Sequence, residues 1–177
     1  MEWKEWLVTF VAGQLTGLAT ALLLAWADRR WRRQDVRTAE KRARLEERFD
    51  PLRRYASALC EFVHDIVGWM MIWDGKRYGD NWQGYADIMP QEIEKRAQKL
   101  VQVEPPPGAM IVLEGTEAYA RLKKLEMLPI RSKESCLECL GTAREPDLEK
   151  FRAQADEADQ HLEQILAYMT RMLDTVE

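Results

Sequence analysis

The sequence predicts an all-α protein: an N-terminal transmembrane helix that continues into a charged stalk, followed by an antiparallel helical bundle. From Leu7 to Ala25 run 19 residues without a formal charge. Nine basic side chains follow within residues 28–49, where neither Gly nor Pro occurs. Beyond them, apolar residues recur at steps of three and four in two long stretches, the spacing of one face of an α-helix. Composition agrees: 46% hydrophobic and 32% charged, with only 9 Gly in 177 residues, describes a folded helical chain and excludes a disordered one.

The uncharged run comes first. At about 1.5 Å per residue it is about 28 Å long, close to the roughly 30 Å of a bilayer's hydrocarbon core. Trp3 and Trp6 precede it and Trp26 and Trp31 follow it. Indole rings favour the headgroup zone, so this bracketing reads as an interfacial belt. Ala25-Trp26-Ala27 resembles a cleavage site, but the N-terminal segment is not basic and the apolar region is too long for an export signal. Arg29, Arg30, Arg32 and Arg33 follow at once, and arginines there stay on the cytoplasmic side. Residues 1–27 are therefore expected to be a retained anchor with a short external N-terminus. Gly13, Gly17 and Ala21 recur every four residues and mark a face on which two membrane helices can approach closely.

Residues 28–49 carry nine basic and five acidic side chains, a local excess of +4 in a chain whose net charge is −4. Read as a helical stalk beside the membrane, its Arg29, Arg30, Arg32 and Arg33 are expected to meet anionic headgroups, at about 1 kcal/mol per basic residue. No aromatic residues are interleaved in a pattern suited to stacking bases, so nucleic acid is excluded as a partner.

The cytosolic bundle is expected over residues 50–177. Asp50-Pro51 reads as a helix restart, an N-cap acceptor followed by proline at the first helical position. Leu52, Tyr55, Leu59, Phe62, Val63, Ile66, Met70 and Trp73 then form a wide apolar stripe. DGKRYGDNWQGYAD (74–87), with three glycines, reads as a loop in which Trp82 and Tyr85 either contact a partner or pin a solvated connection. A short helix is expected from about Pro90 to Gln102, ended by PPPG. AMIVLEGTEAYARLKKLEML (109–128) reads as one or two helical pieces broken near Gly115-Thr116, with Thr116 as cap and Pro129 as terminator. Residues 129–146 are left poorly structured. From Leu148 to Val176 the apolar positions Leu148, Phe151, Ala155, Ala158, Leu162, Ile165, Met169, Met172 and Val176 step 3-4-3-4, a heptad seam. Leu166, Tyr168 and Leu173 widen it, which favours packing on residues 51–73 of the same chain over an intermolecular coiled coil.

Chemistry is sparse. The chain has 3 cysteines, an odd and small number that does not make a disulfide framework. Cys136-Leu-Glu-Cys139 is a lone CxxC. Cys60 and His64 are one helical turn apart, so Cys60, His64, Cys136 and Cys139 offer four tetrahedral ligands to a zinc ion. The alternative is that the thiols only pack in the core. Glu61-x-x-His64 has the spacing of di-iron bundles, but the other histidine, His161, has Ala158 where the second glutamate is needed. With no glycine-rich phosphate loop and no paired acid and base, the chain is not expected to be an enzyme, and no cofactor beyond a possible zinc is expected.

An anchor, an Arg-rich stalk, a helix such as RRYASALCEF and a break around LEGTEAYARLKKL, in that order, resemble a widespread class of uncharacterised bacterial single-pass membrane proteins. Met110 and Val112 fit the apolar stretch of that pattern; the CxxC is no part of it. The resemblance implies location in the bacterial inner membrane with a helical cytosolic domain. The expected role is a membrane-tethered, non-catalytic scaffold or adaptor whose partners are the lipid bilayer and either a second copy or another protein. Two alternatives stand beside it: an effector whose anchor multimerises to perturb the bilayer, and a zinc- or redox-dependent sensor.

Overall fold

The computed structural model describes the backbone of residues 3–76, 82–105, 107–142 and 144–176. It describes side chains from residue 23 onward in those ranges, apart from Lys76, Trp82, Gln83 and Pro107. The described chain is all-helical: α1 (Trp3–Lys76), α2 (Trp82–Gln102), α3 (Pro107–Met110), α4 (Glu117–Thr142) and α5 (Leu148–Asp174). Residues 45–175 form one compact unit, and residues 1–44 with 176–177 form another.

In the first unit the helix carries Leu23, Leu24, Trp26, Trp31 and Val36 exposed. Arg32 pairs with Asp28 at 3.0 Å, and the Arg30 guanidinium lies 5.3 Å from the centroid of the Trp26 ring. Among the described residues no helix is long and apolar enough to cross a membrane. The expected span falls almost wholly on residues 1–22, whose side chains, including the Gly13, Gly17, Ala21 face, lie outside the described residues.

The second unit is built on two adjoining apolar clusters. Residues 49–63 of α1 lie in the first and residues 62–73 in the second. Helix α4 follows the same order, from Ala118 and Leu122 in the first cluster to Cys136 and Leu140 in the second. Helix α5 runs from Phe151 in the second cluster to Leu173 in the first, and α2 likewise begins at the second with Met89 and Ile93. The four long helical segments thus alternate in direction. Polar ties join neighbours across the seams. Arg96 of α2 donates to Asp65 of α1 at 2.5 Å, Lys133 of α4 reaches Glu94 of α2 at 2.5 Å, and the buried Ser132 of α4 donates to Gln154 of α5 at 2.8 Å.

Three expected breaks do not occur. Helix α1 passes through Pro51, α2 contains Pro90, and α4 runs through Pro129 to Thr142, so 129–142 is helical and not the irregular segment expected there. Proline inside a helix costs about 3 kcal/mol. Here each proline stands beside large apolar side chains that the core takes up: Phe49 and Leu52 about Pro51, Met89 and Ile93 about Pro90, Leu125 and Leu128 before Pro129. Burying a large apolar side chain contributes about 1.5–3 kcal/mol, so two such anchors offset one proline. Asp50 does not cap a new helix either; it pairs with Arg54 one turn on. The expected loop 74–87 is also mostly helix. Lys76 ends α1, Trp82 begins α2, and residues 77–81 between them lie outside the described residues.

The break before α4 falls where the sequence places it. Gly115 has φ +76°, and the Thr116 hydroxyl accepts from the Tyr119 backbone N–H at 3.2 Å. A Cβ built on Gly115 meets nothing within 4 Å, so substitution there probes backbone strain alone. Gly115→Val is expected to lower stability by about 1–2 kcal/mol, the left-handed penalty of an L-residue, read as a lower urea midpoint. An unchanged midpoint would mean the turn relaxes freely.

Helix α5 starts at its N-cap Asp147, whose carboxylate accepts from Lys150 N at 3.0 Å. Phe151, Ala155, Ala158, Ile165 and Met169 of the expected seam are buried, as is Leu173 of the widened stripe; His161 is buried as well, while Leu162 and Met172 are only partly covered. A straight helix turns every 3.6 residues and drifts from a 3.5 repeat by about 20° per heptad, which brings the neighbouring positions inward.

Candidate functional site

In the last quarter of α1, Cys60 and His64 stand one turn apart and face the same way, as residues four apart on a helix do. Antiparallel packing of α5 sets Asp159 opposite both. The Cys60 thiol donates to Asp159 Oδ1 at 3.1 Å, and His64 Nε2 lies 3.0 Å from the same oxygen. The donor atoms of these three side chains all lie within 4.8 Å of one another. Among the described residues they are the one set of three or more His, Cys or carboxylate groups that converges in this way.

The electrostatics of the cluster are asymmetric. Cys60 is 4% exposed, and its thiol is pushed up to about 12, first by burial and then by the Asp159 carboxylate that holds its proton. Asp159 itself is held below the usual carboxylate range by hydrogen bonds from His64 and Cys60. This arrangement keeps the sulfur protonated. A nucleophilic cysteine needs a base that takes its proton or a cation that stabilises the thiolate. Here an anion takes that place, and the carboxylate stands between thiol and imidazole.

An open recess of about 550 Å³ lies over the cluster, with Ser57, Glu61 and Asp65 on its α1 side, Arg96 from α2 and Leu162 from α5. Asp65 is engaged by Arg96 at 2.5 Å, which leaves the recess mouth beside the half-exposed His64 and Asp159.

Of the four residues expected to share a zinc ion, the structure brings together only Cys60 and His64. Cys136 is fully buried in the second apolar cluster, among Phe62, Ile66 and Phe151, and Cys139 packs at that cluster's edge. Burial raises both thiols, Cys136 to about 12. The reason is helical geometry: with 129–142 wound into α4, the two cysteines are carried to the second apolar cluster, whereas Cys60 belongs to the first. The third member, Asp159, carries no local signal. It is 95 residues from His64 and looks like any polar residue beside the seam.

The other singled-out residues are scattered. Arg29, Arg30, Arg32 and Arg33 are exposed on α1. Tyr85 is 37% exposed on α2 and not on a loop, and the side chain of Trp82 lies outside the described residues. No family model, curated protein or solved structure matches the chain.

Proposed function

We propose that the chain is a membrane-tethered, non-catalytic helical module that associates with itself or a protein partner at the cytoplasmic face of a bacterial inner membrane. The observation that carries this is the first part of α1. Nineteen uncharged residues, Leu7 to Ala25, are followed directly by Trp26 and four arginines. The aromatic and aliphatic side chains just beyond, Trp26, Trp31 and Val36, are more than half exposed. Side chains of this kind leave water when set in lipid or headgroups, and Arg30 over Trp26 suits the boundary where an indole ring and a guanidinium are both at home. The basic collar supports an inside orientation for everything after Ala27. Association through Gly13, Gly17 and Ala21 fits the close helix packing that drives assembly in lipid.

Carbonate extraction of membranes from expressing cells tests the tether. The full chain is expected to remain in the membrane pellet, and a chain lacking residues 1–27 to appear in the supernatant. Release of the full chain by carbonate sinks the tether. Crosslinking in the same membranes then tests association, with adducts expected to fall when Gly13 and Gly17 are both replaced by Ile.

A further inference from the structure

We infer that Cys60, His64 and Asp159 form a binding site for a divalent transition-metal ion of the zinc class, with three protein ligands and a fourth position open to the recess. The ligand set is the reason for the class: thiolate, imidazole and carboxylate together suit zinc and its neighbours and not the oxygen-seeking Ca²⁺ or Mg²⁺. Geometry is close to what coordination needs. Ligand atoms about 2.0–2.3 Å from a tetrahedral ion stand roughly 3.3–3.8 Å apart. Here Sγ to Oδ1 is 3.1 Å and Nε2 to Oδ1 is 3.0 Å, so these two pairs must part by a few tenths of an ångström, while Sγ and Nε2 already lie within 4.8 Å of each other.

The helices limit the reorganisation required. Cys60 and His64 share one face of α1, and Asp159 projects from a helix held against it by the buried Ala158 and Ile165. The His64 and Asp159 side chains are 48% and 52% exposed, which gives an ion a path in. Charge also balances. A dication with one thiolate, one carboxylate and a neutral imidazole is uncharged overall, the arrangement a half-buried position tolerates. On binding, the Cys60 S–H bond breaks, its electron pair goes to the metal and its proton to solvent. The hydrogen bond to Asp159 is exchanged for a metal bond on each partner. The recess opens over the cluster, so water can fill the fourth position. The site stands whether or not residues 1–27 anchor the chain.

Titrating the chelator-stripped full chain in mild detergent with Co²⁺ tests it. A sulfur-to-cobalt charge-transfer band and the visible bands of tetrahedral cobalt are expected, saturating at one ion per chain and lost when Zn²⁺ is added. His64→Gln and Asp159→Asn, both at exposed side chains, are expected to weaken binding by roughly a hundredfold or more, since even outer-shell partners of a metal are worth about 10–100-fold. Cys60→Ser removes the charge-transfer band, and the double variant Cys136→Ser, Cys139→Ser leaves every band unchanged. Absence of the bands in the unaltered chain overturns the site. So does a spectrum that survives both His64→Gln and Asp159→Asn, or one that disappears with Cys136 and Cys139. Should Cys60→Ser fail to fold, the two exposed variants still decide the matter.

Discussion

Replacing Trp73 with Ala is expected to cost about 3–5 kcal/mol, the range for deleting a fully buried aromatic side chain. Trp73 is 0% exposed near the end of α1, in the cluster with Phe62, Met70, Ile93 and Phe151. Its indole Nε1 donates to the Arg144 carbonyl at 3.4 Å, which ties α1 to the connection between α4 and α5. Against a total stability of about 5–15 kcal/mol for a domain, this single change takes about a fifth or more. Trp73→Phe keeps most of the volume and loses the hydrogen bond, so it should cost about 1–2 kcal/mol. The neighbours make the test sharp. Met71 and Ile72 are each 48% exposed, and truncating either is expected to shift stability by no more than about 0.5 kcal/mol. Urea unfolding of the full chain in mild detergent, followed by near-UV circular dichroism, separates the cases. Equal losses at 71, 72 and 73 would mean that the register of α1 is wrong.

His161→Leu is expected to stabilise the protein. His161 is 3% exposed on α5, and neither ring nitrogen has a hydrogen-bond partner. The nearest acceptor, Glu157 Oε1, stands 3.5 Å from Nε2, too far for a good bond. Leaving a buried polar group unpaired costs about 1–3 kcal/mol, and an apolar side chain of similar size recovers much of that. The same residue sets a pH dependence. Burial lowers the His161 pKa from 6.5; Arg121 and Lys124 lower it further, and Glu157 opposes them. The folded chain therefore takes up the proton less readily than the unfolded one. Stability is full above the unfolded value, about 6.5, and falls as pH drops through it toward the lower folded value. The leucine variant should lose this slope. Urea midpoints at neutral and mildly acid pH measure both effects, and a leucine variant less stable at neutral pH would show that His161 is satisfied by bound water.

The candidate site divides along the same line as the fold. Cys60 and His64 could be paired from sequence because four residues along a helix always return to one face. Cys136 and Cys139 join them in the sequence by their CxxC spacing, in a stretch, 129–146, that reads as irregular. The helical signal in that stretch is Leu125, Leu128, Ser132, Cys136 and Leu140, buried at steps of three and four and masked in the sequence by Pro129 and a charged outer face. Asp159 had no such signal at all.

Local chemistry alone determined a good part of this protein. It specified that the chain is helical, that it breaks near Gly115 with Thr116 as the following cap, and which side of α5 is apolar. Each of these depends on residues within one or two turns of one another, where periodicity and capping act. The tertiary structure decided that three helices run through prolines, that His161 turns inward, and that Asp159 completes a cluster with residues 95 and 99 positions away. Those outcomes depend on burial shared between distant segments. That energy exceeds a proline's penalty, and it leaves no mark on the spacing of residues along the chain.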